Sequence, residues 1–547
     1  MRRLLAALVF VPVLLAGPAP ARAGWFPAAP VDTGATAFGG VDVARDGSAA
    51  MTYVKADGHV YLARMAVGAW QAPERVDPAE TLPATDPVVA VADGGAIIVA
   101  WRSGDRILGA YSDGGPLSAP VALGSGDVGP PAVDMAIQRT GYVVFRQAGD
   151  VRAVRLRKGL WEAAPAPMDI DQAADASAPH VVTAADGNAL IVWSESGNLY
   201  ARRLTDLRLS ALPQEIATGA DSADVTIEDD VSWAWVTYRQ GDRVYARRLV
   251  GSLFDPAVPI DLGPGSGSPS ISMNGRGVGL AASATGADIG VAALVHDAFG
   301  PAAKAGSGSA PLVAGAESRD AAVAWQNAAG FAGRHAAKDQ PLEPEVALGA
   351  GSGPAELGSD RAGDFVLGWL QGSSVVAAVW DEAPGAATLR TSRAYKAIAR
   401  PRLRWGTGLD LWGGQTYRVV IDGKVVGTTT RESLTAPRLS DGAHRWQVVS
   451  VDPRGQATAT KARFVRVDVS GPKVTLRKRS GLRLRVTISD PQTGVRSARV
   501  DFGDGTFTTL VRPREHRYGR AATYRVTVRA EDALGNRTRK RFTVRVG

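Results

Sequence analysis

Between residues 87 and 123 the chain reads PVVAVA, ADGG, AIIVAW, RSGD, RILGAY, SDGG and PLSAPVAL. Short apolar, β-rich runs alternate with Asp-Gly, Gly-Asp and Gly-Gly pairs, which tolerate positive φ and join antiparallel strands. No window of the stretch carries a helical period. The same grammar returns as PHVVTAA, DGN, ALIVW, SESGN, LYARRL and LSALPQEI from Pro179 onward, and as WVTYRQGDRVYARRL from Trp235. Each unit predicts four short antiparallel strands.

The units are periodic. An aromatic that ends an apolar run and precedes a turn recurs as Tyr53, Trp101, Phe145, Trp193, Tyr238, Trp325 and Trp369, at gaps of 48, 44, 48, 45, 87 and 44 residues. The gap of 87 is about two periods, so one unit near Ala282 lacks its aromatic and the count is eight. Four-stranded units at this period predict the blades of a β-propeller. A second marker, Trp70, Leu117, Trp161, Leu209, Phe254, Phe299 and Leu342, is mostly followed by Pro within four residues and predicts each outermost strand, where an N–H can be spared. The eighth unit has none after SSVVAAVW, which ends at Trp380, whereas WFPAAPVD at Trp25 to Asp32 matches WQAPERVD at Trp70 to Asp77. The N-terminal strand is therefore predicted to complete the last blade and close the ring, removing two open edges. Gly-Ser-Gly strings at Gly124, Gly265, Gly306 and Gly351 fall between blades. They are expected to share one face, as crossovers or as ligand loops.

Composition agrees. With 63 Gly and 33 Pro in 547 residues the chain is rich in turns, and 45% hydrophobic residues suit folded domains. Having no Cys, it excludes disulfides, thiolate metal sites and Cys nucleophiles. Arg2 and Arg3, an apolar stretch from Leu4 to Leu15, and Ala21-Arg22-Ala23 make the layout of a signal peptide over residues 1–23, too short to span a bilayer comfortably. The expectation is an exported chain without a transmembrane segment after cleavage, secreted or at the cell surface.

Charge divides the chain. Residues 390–547 hold about 34 Lys and Arg against 12 Asp and Glu, near +22, which leaves about −14 for the first 389 of the overall +8. Asp381 to Lys396 reads as a linker region, with residues 386–396 its core. Beyond it, a Tyr417-Arg-Val-Val-Ile421 strand, the Asp422-Gly423 turn, SDGAH and RWQVVSVD resemble the immunoglobulin-like or fibronectin-III-like modules, over 397–468. In the last segment, 469–547, ARVDFGDGT at Ala498 to Thr506, His516 with Tyr518, and the run closing on EDALGN resemble a PKD domain. The resemblance implies a second small β-sandwich, with Val500 where the family usually has Trp.

Candidate chemistry is sparse. His59, His180, His296, His335, His444 and His516 stand singly, without ligand spacing. The Asp-Gly pairs at Asp46, Asp93 and Asp186 depart from the Asp-boxes of sialidases and read as hairpin turns. Arg102, Arg146 and Arg239 follow the aromatic in three blades, which places them at one rim as solvated arginines or as a substrate cluster. No residue is assigned a catalytic, cofactor-binding or metal role, and no cofactor is expected. The reading is an all-β chain with an eight-bladed propeller over 24–385 and two small sandwiches. Its function is exported, non-catalytic binding or adhesion, the propeller recognising carbohydrate or protein and the basic modules meeting an anionic cell-wall polymer rather than a specific nucleic acid. A propeller-based glycoside hydrolase or lyase with its site at the channel mouth is the alternative.

Overall fold

The computed structural model describes residues 23–169, 174–210, 212–228, 233–250, 253–254, 260–509 and 512–547. Residues 1–22 of the expected signal peptide lie outside the described residues. Residues 23–382 with 411–413 make one compact unit, and 383–410 with 414–547 make a second.

The first unit is an eight-bladed β-propeller: eight antiparallel sheets of four or five strands. Blade 2 shows the plan, running outward from Ala84–Ala92 through Ala96–Ser103 and Arg106–Asp113 to Val121–Ser125. Its second strand is buried almost throughout. Sheets that pack on both faces bury the middle strands from both sides, which is why these runs are continuously apolar rather than alternating. The seven recurring aromatics are each at most 1% exposed, and Ala282 takes the missing place at 3%.

Closure follows the expected route. Gly24–Thr33 pairs antiparallel with Ser374–Asp381, from Gly24 opposite Asp381 to Thr33 opposite Ser374. Trp25 meets Trp380 edge-on with centroids 6.0 Å apart. The hydroxyl of Tyr53, in blade 1, donates to Asp32 of this strand, and Lys55 Nζ lies 2.7 Å from the same carboxylate. Burial favours the protonated acid, yet the Lys55 and Tyr53 bonds outweigh it and hold Asp32 below its ordinary pKa.

The second marker needs a correction. Trp70, Trp161, Leu209, Phe254 and Phe299 lie in outermost strands, but Leu117 and Leu342 precede theirs, Val121–Ser125 and Val346–Gly349. Pro120 and Pro344 supply no N–H, so ladder pairing begins beyond them.

Because every blade is a meander, its first-to-second and third-to-fourth turns share one face, here the far face. Second-to-third turns and the links between blades share the other, the crossover face. Innermost strands start at the crossover face with a recurrent bulge: register slips at Thr85/Val88, Ser177/His180, Asp221/Ala223 and Ser309/Leu312 accompany positive φ at Asp86, Ala178, Ser222 and Ala310. Each bulge bends the strand and re-aims the side chains that follow.

The second unit holds two sandwiches. One packs Thr388–Leu389, Arg402–Gly406 and Ser433–Thr435 against a sheet that includes Thr416–Ile421, Gly442–Val451 and Arg463–Val467, around Trp405, Trp446, Val419 and Val465. Two pieces of the expected linker, Thr388–Leu389 and Tyr395–Lys396, are strands of this sandwich, and Leu389 is buried in its core. A two-residue strand gives no periodic signal, so the sequence showed only a polar connection there. The other sandwich pairs Lys473–Arg479, Arg483–Ser489 and Arg514–Arg517 in one sheet, and Phe507–Thr509, Val495–Asp501, Ala522–Asp532 and Arg537–Val546 in the other. Val500 is fully buried between them.

Candidate functional site

The innermost strands carry acids at two repeat positions, Asp42 and Asp134 at one and Asp224 and Glu356 two residues earlier in their blades. Asp42 Oδ2 accepts the N–H of Val91 at 2.6 Å, Asp134 Oδ2 that of Thr183 at 2.5 Å, Asp224 Oδ2 that of Ile271 at 2.8 Å and Glu356 Oε2 that of Val41 at 2.9 Å. Each bond crosses to the innermost strand of the next blade, the last across the ring's closure. Ser270 and Ser272 do the same for Val313 and Gly315. Glu356 is exposed by surface area, yet its carboxyl is closely surrounded by protein atoms. Burial first, with the charges of Asp42 and Asp224 added against the Val41 bond, pushes Glu356 up to about 7. Burial, with Asp42 beside it, likewise pushes Asp134 up to about 7.

Two recesses open on the far face. The central mouth, about 210 Å³, is lined by Asp42, Arg45, Asp93, Asp134, Glu317 and Arg361 among others. Arg45 pairs with Glu317, and Asp46 Oδ2 accepts the N–H of Gly94 at 2.6 Å. The larger recess, about 680 Å³, is a groove over blade 3 between blades 2 and 4. Its charged groups come from turns. Arg139 Nη1 lies 2.5 Å from Asp113 Oδ1, Arg157 Nη1 lies 2.8 Å from Asp206 Oδ1, and Asn188 Nδ2 donates to Asp186 Oδ2 at 2.6 Å. Arg155, 8% exposed in its side chain, is clamped between Glu162 and Asp206, both at 2.6 Å. The Arg155 hydrogen bond and charge hold Asp206 below its ordinary pKa. Lys158 and Tyr111 also line the groove. Fixed guanidinium and amide donors thus alternate with carboxylate acceptors beside one aromatic ring.

On the crossover face the Gly-Ser-Gly strings are crossovers whose glycines fit close neighbours. A Cβ on Gly306 would stand 2.1 Å from Trp325, on Gly351 2.5 Å from Trp369, and on Gly124 2.5 Å from Phe145. In these three strings the glycine makes room for the buried aromatic of the next blade, whereas a Cβ on Gly265 would stand 2.3 Å from Val244. Arg102, Arg146 and Arg239 do share this face, and each is paired: with Asp86 at 3.0 Å, with Asp127 and Asp175 at 2.9 Å, and with Asp221 at 2.6 Å.

The sequence carries no signal for the groove, because its residues come from turns of three blades, and Asp186 among them reads as a turn residue. The channel acids had a signal. VDV, VDM, ADV and AEL recur in the innermost strands of blades 1, 3, 5 and 8, an acid between apolar neighbours.

In the last sandwich Arg499, Arg529 and Arg539 stand directly opposite one another across three adjacent strands. With Arg496 and Arg537 they line a recess of about 670 Å³. The exposed Phe507 lies 4.5 Å from the Arg499 guanidinium, so the fold supplies an aromatic that spacing along the chain did not interleave. His516 stacks on Phe502 and binds Asp504 at 2.7 Å, a structural contact within the turn, and the other histidines form no cluster among the described residues.

Comparison with known proteins matches residues 467–546 to the PKD domain family. No curated protein matches the chain. Solved structures similar to it include a Dos1 propeller, at 8% identity and TM-score 0.45 over 65% of this chain and 94% of that one. YCF48 from Cyanidioschyzon merolae follows at 12% identity and TM-score 0.36, over 65% and 98%. A mutant Aleuria aurantia lectin in complex with Fucα1-6GlcNAc is 10% identical, at TM-score 0.33 over 59% of this chain and 99% of that one. Among the described residues no helix is long and apolar enough to cross a membrane.

Proposed function

We propose that the chain is an exported, non-catalytic binding protein whose propeller takes a carbohydrate in the far-face groove, while its arginine-rich modules rest on an anionic polymer of the cell exterior. The groove carries this reading. Its volume of about 680 Å³ suits a small oligosaccharide. A sugar hydroxyl both donates and accepts, and needs carboxylates next to guanidinium and amide donors, as Asp186, Asp206, Arg157 and Asn188 are arranged. Asp113, Asp186 and Asp206 there are balanced by Arg139, Arg155, Arg157 and Lys158, so the groove offers a mixed polar lining rather than a field of one sign. The channel carboxylates are a weaker basis for a hydrolase, since Asp42, Asp134, Asp224 and Glu356 each hold a backbone N–H.

The test is a glycan array probed with the full mature chain, followed by titration of the best ligand. Asp186→Ala with Arg157→Ala should weaken binding at least tenfold, while Arg239→Ala on the crossover face leaves it unchanged. Equal affinity for both variants would remove the groove from the proposal.

A further inference from the structure

Asp468 sits in the short connection between Arg463–Val467 of the first sandwich and Lys473–Arg479 of the second. Beside it stand Asp490 and Asp532, and one oxygen from each of the three lies within 4.8 Å of the others. Local bonds fix the two neighbours. Asp490 Oδ1 accepts the N–H groups of Gln492, Thr493 and Gly494, and Asp532 Oδ1 those of Leu534 and Asn536. Asn536 Nδ2 donates to Asp532 Oδ2 at 2.7 Å and also to the Asp468 carbonyl at 2.8 Å.

Asp468 itself is fully buried, and only one of its carboxylate oxygens is satisfied. Oδ2 accepts Thr493 Oγ1 at 2.6 Å, whereas Oδ1 is buried without a donor. A buried carboxylate oxygen with no partner is costly, and two more carboxylates beside it add repulsion. Among the described residues no lysine or arginine forms an ion pair with any of the three. Asp441 contributes a fourth negative charge nearby and accepts the Val469 N–H at 2.7 Å.

We propose that Asp468, Asp490 and Asp532 bind one Ca²⁺ ion, which takes the unsatisfied Asp468 Oδ1 as a ligand. The donors are all hard oxygens, without imidazole or thiolate, which selects against transition metals. Ca²⁺ accepts irregular oxygen sets that Mg²⁺, bound to near-octahedral geometry, does not. The Asp468 N–H already bonds the Lys396 carbonyl at 3.0 Å, so an ion here ties the connection to both sandwiches.

The experiment uses the full mature chain stripped with chelator at neutral pH and fixed ionic strength. Calorimetric titration with CaCl₂ should show one site, and a thermal melt should shift upward, with Mg²⁺ at equal concentration giving the smaller shift. Asp490→Asn keeps the Oδ1 acceptor of the turn, so its ion-free melt should be no lower than wild type while its Ca²⁺ affinity falls at least tenfold. Asp468→Asn should abolish binding; if that variant fails to fold, Asp490→Asn decides. Absence of both heat and melting shift up to about 10 mM Ca²⁺, beyond the roughly millimolar affinities of weak extracellular modules, overturns the site. So does unchanged affinity in Asp490→Asn, and an equal Mg²⁺ response overturns the choice of ion.

Discussion

A carboxylate that accepts an N–H on the inner wall of a ring meets two opposed demands: the bond favours its charge and the crowding of protein around it opposes it. For Glu356 and Asp134 the second wins, since both are raised to about 7. A raised acid binds its proton more tightly folded than unfolded, so the stability it contributes is full below the unfolded pKa near 4 and is lost as pH rises through about 7. Thermal stability of the wild type should therefore fall between pH 5 and 8 more than that of Glu356→Gln, which keeps an acceptor for the Val41 N–H. Parallel curves for the two proteins would contradict this. The aromatic period was legible because seven of the eight blades bury one large side chain at the same place, Ala282 standing in the other. The glycines opposite were visible too, but not their reason, which is contact in space between Gly306 and Trp325 rather than flexibility. Gly306→Ala should cost about 1–3 kcal/mol by overpacking, measured as a lower denaturant midpoint with an unchanged slope.

At the level of elements, the meander and the closing strand could be read directly, since WFPAAPVD matches the outermost strand of blade 1 residue for residue at its Trp and Val-Asp positions. What escaped were strands too short for a period, such as Thr388–Leu389, and a groove assembled from turns whose sequences read only as turns. The closing strand also makes a quantitative prediction. Trp25 is half-buried against Trp380, so Trp25→Ala should cost about 2 kcal/mol, below the 3–5 typical of a fully buried Trp. Chemical denaturation should show the loss, and a variant as stable as wild type would mean that the ring holds without this contact.

Across the whole molecule charge is segregated, near −14 before residue 390 and near +22 after it. Like charges placed opposite one another on adjacent strands are destabilising, and the row of Arg499, Arg529 and Arg539 invites a polyanion to relieve it. The chain should be retained on isolated cell envelopes at low salt and released at high salt, and replacing the three arginines with Gln should move release to lower salt. Retention that ignores salt would exclude an electrostatic partner. The pairing of Gly24–Thr33 with Ser374–Asp381 has a temporal side as well. The segment synthesised earliest in the propeller must remain idle until more than three hundred later residues have been made. Seven sectors can assemble in order behind it, and the circle is locked only when the oldest stretch of chain finds the newest.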